Sequence, residues 1–223
     1  MLINTYVGID VSKLTLDVFI RESKLHKQVK NNLSGFNSLL KWLETQTLQS
    51  LDTVLVCFEH TGLYSLPLAL FLEERNMHYS MISPLEIKRS MGITRGKNDL
   101  IDSKRIAEFA FRFKDKVSET KLPAKDIRKV HSLLTLRDKL VTNMKGYAMT
   151  YNETLRTMRK EDFPELFSTY ENMVTSLKAE IKKVENAIKT ILKNNLQLWT
   201  SYKLVTSVKG IGFIVASYLI VYT

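Results

Sequence analysis

Asp99 and Asp102, within Lys97-Asn98-Asp99-Leu100-Ile101-Asp102, are two carboxylates three residues apart at the head of a predicted helix. Residues at i and i+3 share a helix face, so both acids point one way while Leu100, Ile101 and Ile106 turn to a core. One reading is structural, with Asp99 as N-cap and Asp102 as a first-turn acid favoured by the helix dipole. The other is a cation site, to which Asp10, ending the strand-like Tyr6-Val7-Gly8-Ile9-Asp10, and Glu59, following a short apolar run, can contribute. Four gathered carboxylates repel unless cations accompany them, and hard oxygen donors select Mg²⁺ or Mn²⁺. Two such ions roughly 3.5 to 4 Å apart can activate an attacking oxygen and stabilise a leaving one in phosphodiester cleavage. His26, His60, His78 and His131 are scattered without metal-ligand spacing. His60, beside Glu59, is open either to substrate contact or to solvent, and Lys13 and Lys97 either bind phosphate or are simply solvated.

The elements that must position these acids follow from periodicity. After the first strand, residues 14–21 alternate Leu14, Leu16, Val18 and Ile20 with Thr15, Asp17 and Phe19, the pattern of a half-buried strand. A polar third strand over residues 26–31 completes a meander, and Ser34-Gly35 opens a helix with Phe36, Leu39, Leu40 and Leu43 at helical spacing. Residues 52–58 suit a strand covered on both faces, a helix follows over 66–74, and residues 78–82 predict a fifth strand before a short helix at Ser83-Pro84. Three antiparallel strands, a helix, then alternating strands and helices is the order of the RNase H-like fold, α/β with a mixed sheet. In that sheet the strands bearing Asp10 and Glu59 are neighbours, although the acids are about fifty residues apart.

Composition bounds the partner. The 223 residues carry 33 Lys and Arg against 23 Asp and Glu, a net charge of +10 that favours a polyanion, nucleic acid first. No apolar run reaches the length of a membrane span, and residues 1–6 lack the character of a secretory signal. The expected location is cytoplasmic. Cys57, the single cysteine, excludes an intrachain disulfide and a thiolate-rich zinc site, and reads as a small buried side chain.

From Lys125 the chain turns to long helices. Ile127, Val130, Leu134, Val141, Met144, Ala148, Tyr151, Leu155 and Met158 follow three- and four-residue steps interrupted by Arg137. Beyond a break at Pro164, Tyr170, Met173, Leu177, Ile181, Val184, Ile188 and Ile191 repeat the spacing. That is the seam of an antiparallel coiled-coil hairpin, and it suits pairing with another chain; an ordinary helical bundle is the alternative. Arg128, Lys129, Lys145, Arg156, Arg159 and Lys160 stand among the basic residues here, as a solvated face or as contacts to nucleic-acid backbone.

Gly8-Ile9-Asp10-Val11-Ser12-Lys13 with Leu16-Asp17, Glu59-His60-Thr61-Gly62-Leu63-Tyr64, Ile82-Ser83-Pro84 and Lys97-Asn98-Asp99-Leu100-Ile101-Asp102-Ser103 together closely resemble the DEDD transposases of the insertion-sequence 110 family and the related Piv-type DNA invertases. The four segments stand in family order over about the first 115 residues. The resemblance implies that Asp10, Glu59, Asp99 and Asp102 form the metal-binding and catalytic tetrad of a RuvC-like domain using Mg²⁺ or Mn²⁺. It further implies a DNA transposase or site-specific recombinase, partnered with DNA and a guide RNA, of bacterial or archaeal nucleoid-associated location. His60 replaces a small residue of the family pattern, and Ser103 stands where alanine is common. Val208-Lys209-Gly210-Ile211-Gly212 and the apolar residues after it resemble the hairpin opening the family's C-terminal domain, so a shortened chain is expected and the family's serine nucleophile is not transferred.

The expected organisation is a catalytic domain over residues 1–118, a coiled-coil arm over 119–200 that binds nucleic acid and makes a dimer or tetramer, and the start of a C-terminal domain over 201–223. Two alternatives stay open: a junction-resolving or RNA-cleaving nuclease on the same fold, and a non-catalytic nucleic-acid-binding and dimerisation module.

Overall fold

The alternating and apolar runs of the first half build one sheet in the computed structural model, which describes residues 3–47, 50–91 and 99–222. Strands β1 (Thr5–Val11), β2 (Thr15–Ile20) and β3 (Leu25–Lys30) form the meander, and β4 (Val54–Glu59) and β5 (His78–Ile82) add in parallel to β1, giving the order β3-β2-β1-β4-β5. Helix α1 (Leu33–Gln46) is capped by Asn32, whose side chain accepts the Gly35 amide at 3.0 Å. It connects β3 to β4, and α2 (Leu66–Glu73) connects β4 to β5. Helices α3 (Pro84–Met91) and α4 (Asp99–Arg112) follow. This is the mixed sheet of an RNase H-like α/β fold, and parallel strands joined by crossover helices require both faces to be covered.

One face carries Val7, Ile9, Val11, Leu16, Val18, Ile20, Val54, Val56 and Phe58 against the apolar sides of α1 and α2. The other carries Tyr6, Leu55 and Cys57 against Ile106, Phe109 and Ala110 of α4. Strand β2 therefore differs from its half-buried expectation, because α4 packs on its second face as well as on β1, and Asp17 and Phe19 are buried along with Leu16 and Val18. Leu14 lies outside the strand and is exposed.

The chain divides into two compact units, Met1–Leu122 and Pro123–Thr223. The second is all helical: α5 (Lys125–Thr157), α6 (Pro164–Asn194), α7 (Leu196–Thr206) and α8 (Phe213–Tyr222). Helices α5 and α6 run antiparallel, since partners descend one helix as they climb the other: Arg137 with Glu185, Tyr147 with Tyr170, Tyr151 with Phe167. Arg137, the break in the predicted seam, donates Nε to Glu185 Oε1 at 2.7 Å and so keeps its charge paired between the helices. The seam of α6 is shifted by one residue from expectation near its start. Phe167 is fully buried and Val174 half-buried, whereas Met173 is exposed, because the contact side steps by four from Tyr170 before it steps by three. Val130, Leu134, Val184, Ile188, Leu192 and Leu198 form the core of this unit. No helix among the described residues is long and apolar enough to cross a membrane.

Candidate metal centre at the strand ends

Strand alternation decides which side chains meet. In the parallel β1–β4 pair Gly8 lies opposite Cys57 and Ile9 opposite Phe58, so Asp10 and Glu59 are the next pair along. Period two puts Asp10 on the face of Gly8 and Tyr6, and Glu59 on the face of Cys57 and Leu55, which is the face covered by α4. The helix comes unusually close there. A Cβ on Gly8 would stand 2.1 Å from the Ser103 carbonyl oxygen and 2.3 Å from the Ala107 amide nitrogen, so the absent side chain is what lets α4 lie directly on β1. Ser103, in place of the family's common alanine, is fully buried and returns its hydroxyl to the Leu100 carbonyl at 3.0 Å, leaving no orphan donor.

This contact brings Asp102 to the strand ends. Glu59 is half-buried, and its carboxyl is held above the usual range first by burial and then by the negative charge of Asp102. Two carboxylates sharing a low-dielectric corner resist simultaneous ionisation, and a cation relieves that conflict. Asp102 is meanwhile engaged by Arg105, whose Nη1 donates to Oδ1 at 2.9 Å. Among the described residues no three acid, His or Cys side chains are yet drawn together closely enough to hold a metal ion. Asp99 opens α4 one turn before Asp102, but its side chain, like the whole of Lys97, lies outside the described residues. Cys57 does not compete as a ligand, because burial pushes its thiol up to about 12 and keeps it neutral. Asp10, Glu59 and Asp102 would offer only oxygen donors, from β1, β4 and α4, and that chemistry fits a hard divalent cation.

The surroundings were only partly foreseen. Lys13 is exposed in the β1–β2 turn, and His60 is exposed, so the bulk that departs from the family pattern meets no crowding. The backbone amide of His60 donates to the Ile82 carbonyl at 2.9 Å, tying the turn after Glu59 to β5. Thr61 Oγ1 is buried in that turn without a hydrogen-bond partner among the described residues. Asp17 lies directly opposite Asp10 across the antiparallel β1–β2 pair; the sequence places it in the alternating strand and in the motif that follows Asp10, without a role at the site.

Of the basic residues in the second unit, Arg128 is half-buried, and Lys129 reaches Asp126 at 3.4 Å. Lys160 is committed to Glu171 at 2.5 Å, and this bond, with the Tyr151 hydroxyl, holds the Glu171 carboxyl below its usual range. Lys145 and Arg156 are exposed and line one shallow groove of about 460 Å³ with Met149 and Asn152 on a single stripe of α5; Arg159 is exposed past its end.

No curated protein matches the chain. A sequence model of one family, described as transposase and built on the DEDD enzymes of insertion sequence 110, matches residues 7–160. That span covers more than half of the chain and all three strand and helix positions that bring acids to the corner; the protein belongs to the insertion-sequence 110 family of DEDD transposases.

Proposed function

We propose that the chain is the metal-dependent strand-cleaving portion of an insertion-element transposase, acting on DNA with a guide RNA from its own element. The observation that carries this reading is the β1–β4 register, which makes Asp10 and Glu59 neighbours on the face where α4 presents Asp102. Asp10, Glu59, Asp99 and Asp102 would hold Mg²⁺ or Mn²⁺, which when bound supplies charge stabilisation to the attacking and leaving oxygens of a phosphodiester. The ionised form of Glu59, disfavoured by burial and by Asp102, would gain from a cation. Arg105 orients Asp102 through one bond to Oδ1, and its positive charge opposes a cation held by that carboxylate.

The net charge of +10 supports a nucleic-acid partner. Lys13 and Lys97 flank the acids and would steady the substrate phosphates, while Arg128, Lys129, Lys145, Arg156, Arg159 and Lys160 would contact backbone along the coiled-coil arm. In this reading residues 1–118 cleave, residues 119–200 bind and self-associate as a dimer or tetramer, and residues 201–223 begin a further transposase domain. The working location is the bacterial or archaeal cytoplasm, at the nucleoid.

The test is Asp10→Asn in the complete transposase with its element ends. Mg²⁺-dependent strand cleavage should fall by more than about 100-fold, beyond the usual cost of losing an outer-shell partner, with the thermal midpoint retained. Undiminished cleavage would sink the assignment. Unaided nicking of four-way DNA by the 223-residue chain would instead favour a junction-resolving nuclease, and salt-sensitive binding without any metal-dependent cleavage a non-catalytic module.

A further inference from the structure

Among the described residues, Asp17 is the most deeply buried acid on the face covered by α4. Its side chain is 6% exposed, and a carboxylate so far from water is costly unless its charge is answered. Among the described residues the answer comes from the edge strand. His26 Nε2 lies 3.0 Å from Oδ1, and the Gln28 amide nitrogen donates to Oδ2 at 3.0 Å and to Oδ1 at 3.2 Å. His26 and Gln28 alternate on β3, facing Phe19 and Asp17 across the pair, so the polar side of β3 is organised around this one acid.

A sheet interior does not need an acid at this point. A β-branched or apolar residue would pack there with no charge to satisfy. Placing one carboxylate opposite another in an antiparallel pair is moreover unfavourable, and Asp10 is the cross-strand partner of Asp17. The arrangement becomes favourable once a divalent cation sits at Asp10, because a second negative charge fixed behind a ligand raises the attraction for the ion. Asp17 is held on both oxygens: of the about four lone-pair directions of a carboxylate, His26 and Gln28 take two on Oδ1 and Gln28 takes one on Oδ2, which fixes the charge in place.

We propose that Asp17, gripped by His26 and Gln28, is a positioning residue for the cation centre: a fixed outer carboxylate behind Asp10 that strengthens divalent-ion binding without ligating the ion itself. This rests on the cation reading of Asp10, Glu59, Asp99 and Asp102. It gives β3 a purpose beyond closing the sheet edge, since its two donors aim a charge that another strand carries.

The experiment is a Mn²⁺ titration of the whole chain followed by the electron paramagnetic resonance signal of free Mn²⁺, with thermal midpoints recorded in the absence of metal. Asp17→Asn keeps the side-chain shape and removes the charge. It should weaken Mn²⁺ binding about 10-fold, the lower end for loss of an outer-shell partner, while the metal-free midpoint holds or rises as the repulsion with Asp10 goes. Gln28→Met keeps the Asp17 charge but loosens its grip, and should cost less than Asp17→Asn in affinity. If Asp17→Asn fails to fold, Gln28→Met carries the test, with a loss of about threefold expected as a fraction of that cost. An unchanged Mn²⁺ affinity in the folded variant, alongside a lowered metal-free midpoint, would make Asp17 a merely structural acid and overturn the proposal. Asp10→Asn is the control that separates the two readings. If it abolishes binding while the Asp17 variants bind normally, only the role of Asp17 falls; if wild type and Asp10→Asn behave alike, the cation centre falls with it.

Discussion

The two faces of the five-stranded sheet are built by opposite rules. Under α1 and α2 the face is uniformly apolar, with Val7, Ile9, Leu16, Val18, Val56 and Phe58 almost completely removed from water. Under α4 the same strands present Gly8, Asp10, Asp17, Cys57 and Glu59. The first face gains its stability from burial of hydrocarbon. The second gives up part of that gain, accepting a missing side chain at Gly8 and crowded acids at the strand ends, and in return brings a helix backbone and its carboxylate within reach of two strands. Sheets with one such face can be stable because the other is ordinary.

The comparison is most sharply tested by damage to each face in turn. Phe58→Ala, on the apolar face and stacked on Tyr79 with ring centroids 6.0 Å apart, should lose about 3 to 5 kcal/mol in denaturant unfolding. Mn²⁺ affinity of the fraction that remains folded should be unaltered. Gly8→Ala, on the other face, drives a methyl group into the Ser103 carbonyl and the Ala107 amide. It should cost about 1 to 3 kcal/mol and, unlike Phe58→Ala, should also weaken Mn²⁺ binding because α4 must lift away with Asp102. Equal effects of the two variants on metal affinity would erase the distinction between the faces.

A finer probe is pH. The Glu59 carboxyl is raised above its ordinary range by burial and by Asp102, so the metal-free folded chain holds a proton there that the unfolded chain has released. The stability this contributes is fully present below the ordinary glutamate range and is lost as pH rises through the raised value. Chemical denaturation across that window should show a downward slope attributable to this site, which Glu59→Gln flattens and which saturating Mg²⁺ reverses. The smallest expected effect belongs to Arg105→Ala. Removing the partner of Asp102 in a partly exposed pair worth about 0.5 to 1 kcal/mol should tighten Mn²⁺ binding by roughly two- to fivefold; weaker binding would mean that Arg105 supports the ligand set rather than competing with it.

How far the chain could be read in advance divides along the same line. The strand order and the adjacency of the strands ending in Asp10 and Glu59 followed from apolar runs and the meander pattern, because such signals are local. The burial of Asp17 did not follow, since an alternating acid looks the same whether solvent or a helix covers it; only the distant arrival of α4, some 80 residues later, decides. Gly8 was legible as a motif residue, but its physical purpose is a backbone clearance that no periodicity records. On the helical side, the heptad pattern correctly gave two long helices, yet misplaced Met173 by one position because three- and four-residue steps are nearly interchangeable at the start of a seam. The buried ring of Phe167, which would have set the phase, belongs to the first turn, where periodic signals are weakest.

The charged pair that crosses between α5 and α6 has a mechanical corollary. A purely greasy interface can slip by a turn at little cost, but Arg137 finds its carboxylate partner in one alignment alone. The 33 residues of α5, at 1.5 Å each, are therefore held as a strut about 50 Å long. A strut of constant gauge is a different tool from a flexible tether: the side chains along it are spaced by protein geometry, and shortening it by whole turns would shift that spacing in steps rather than blur it.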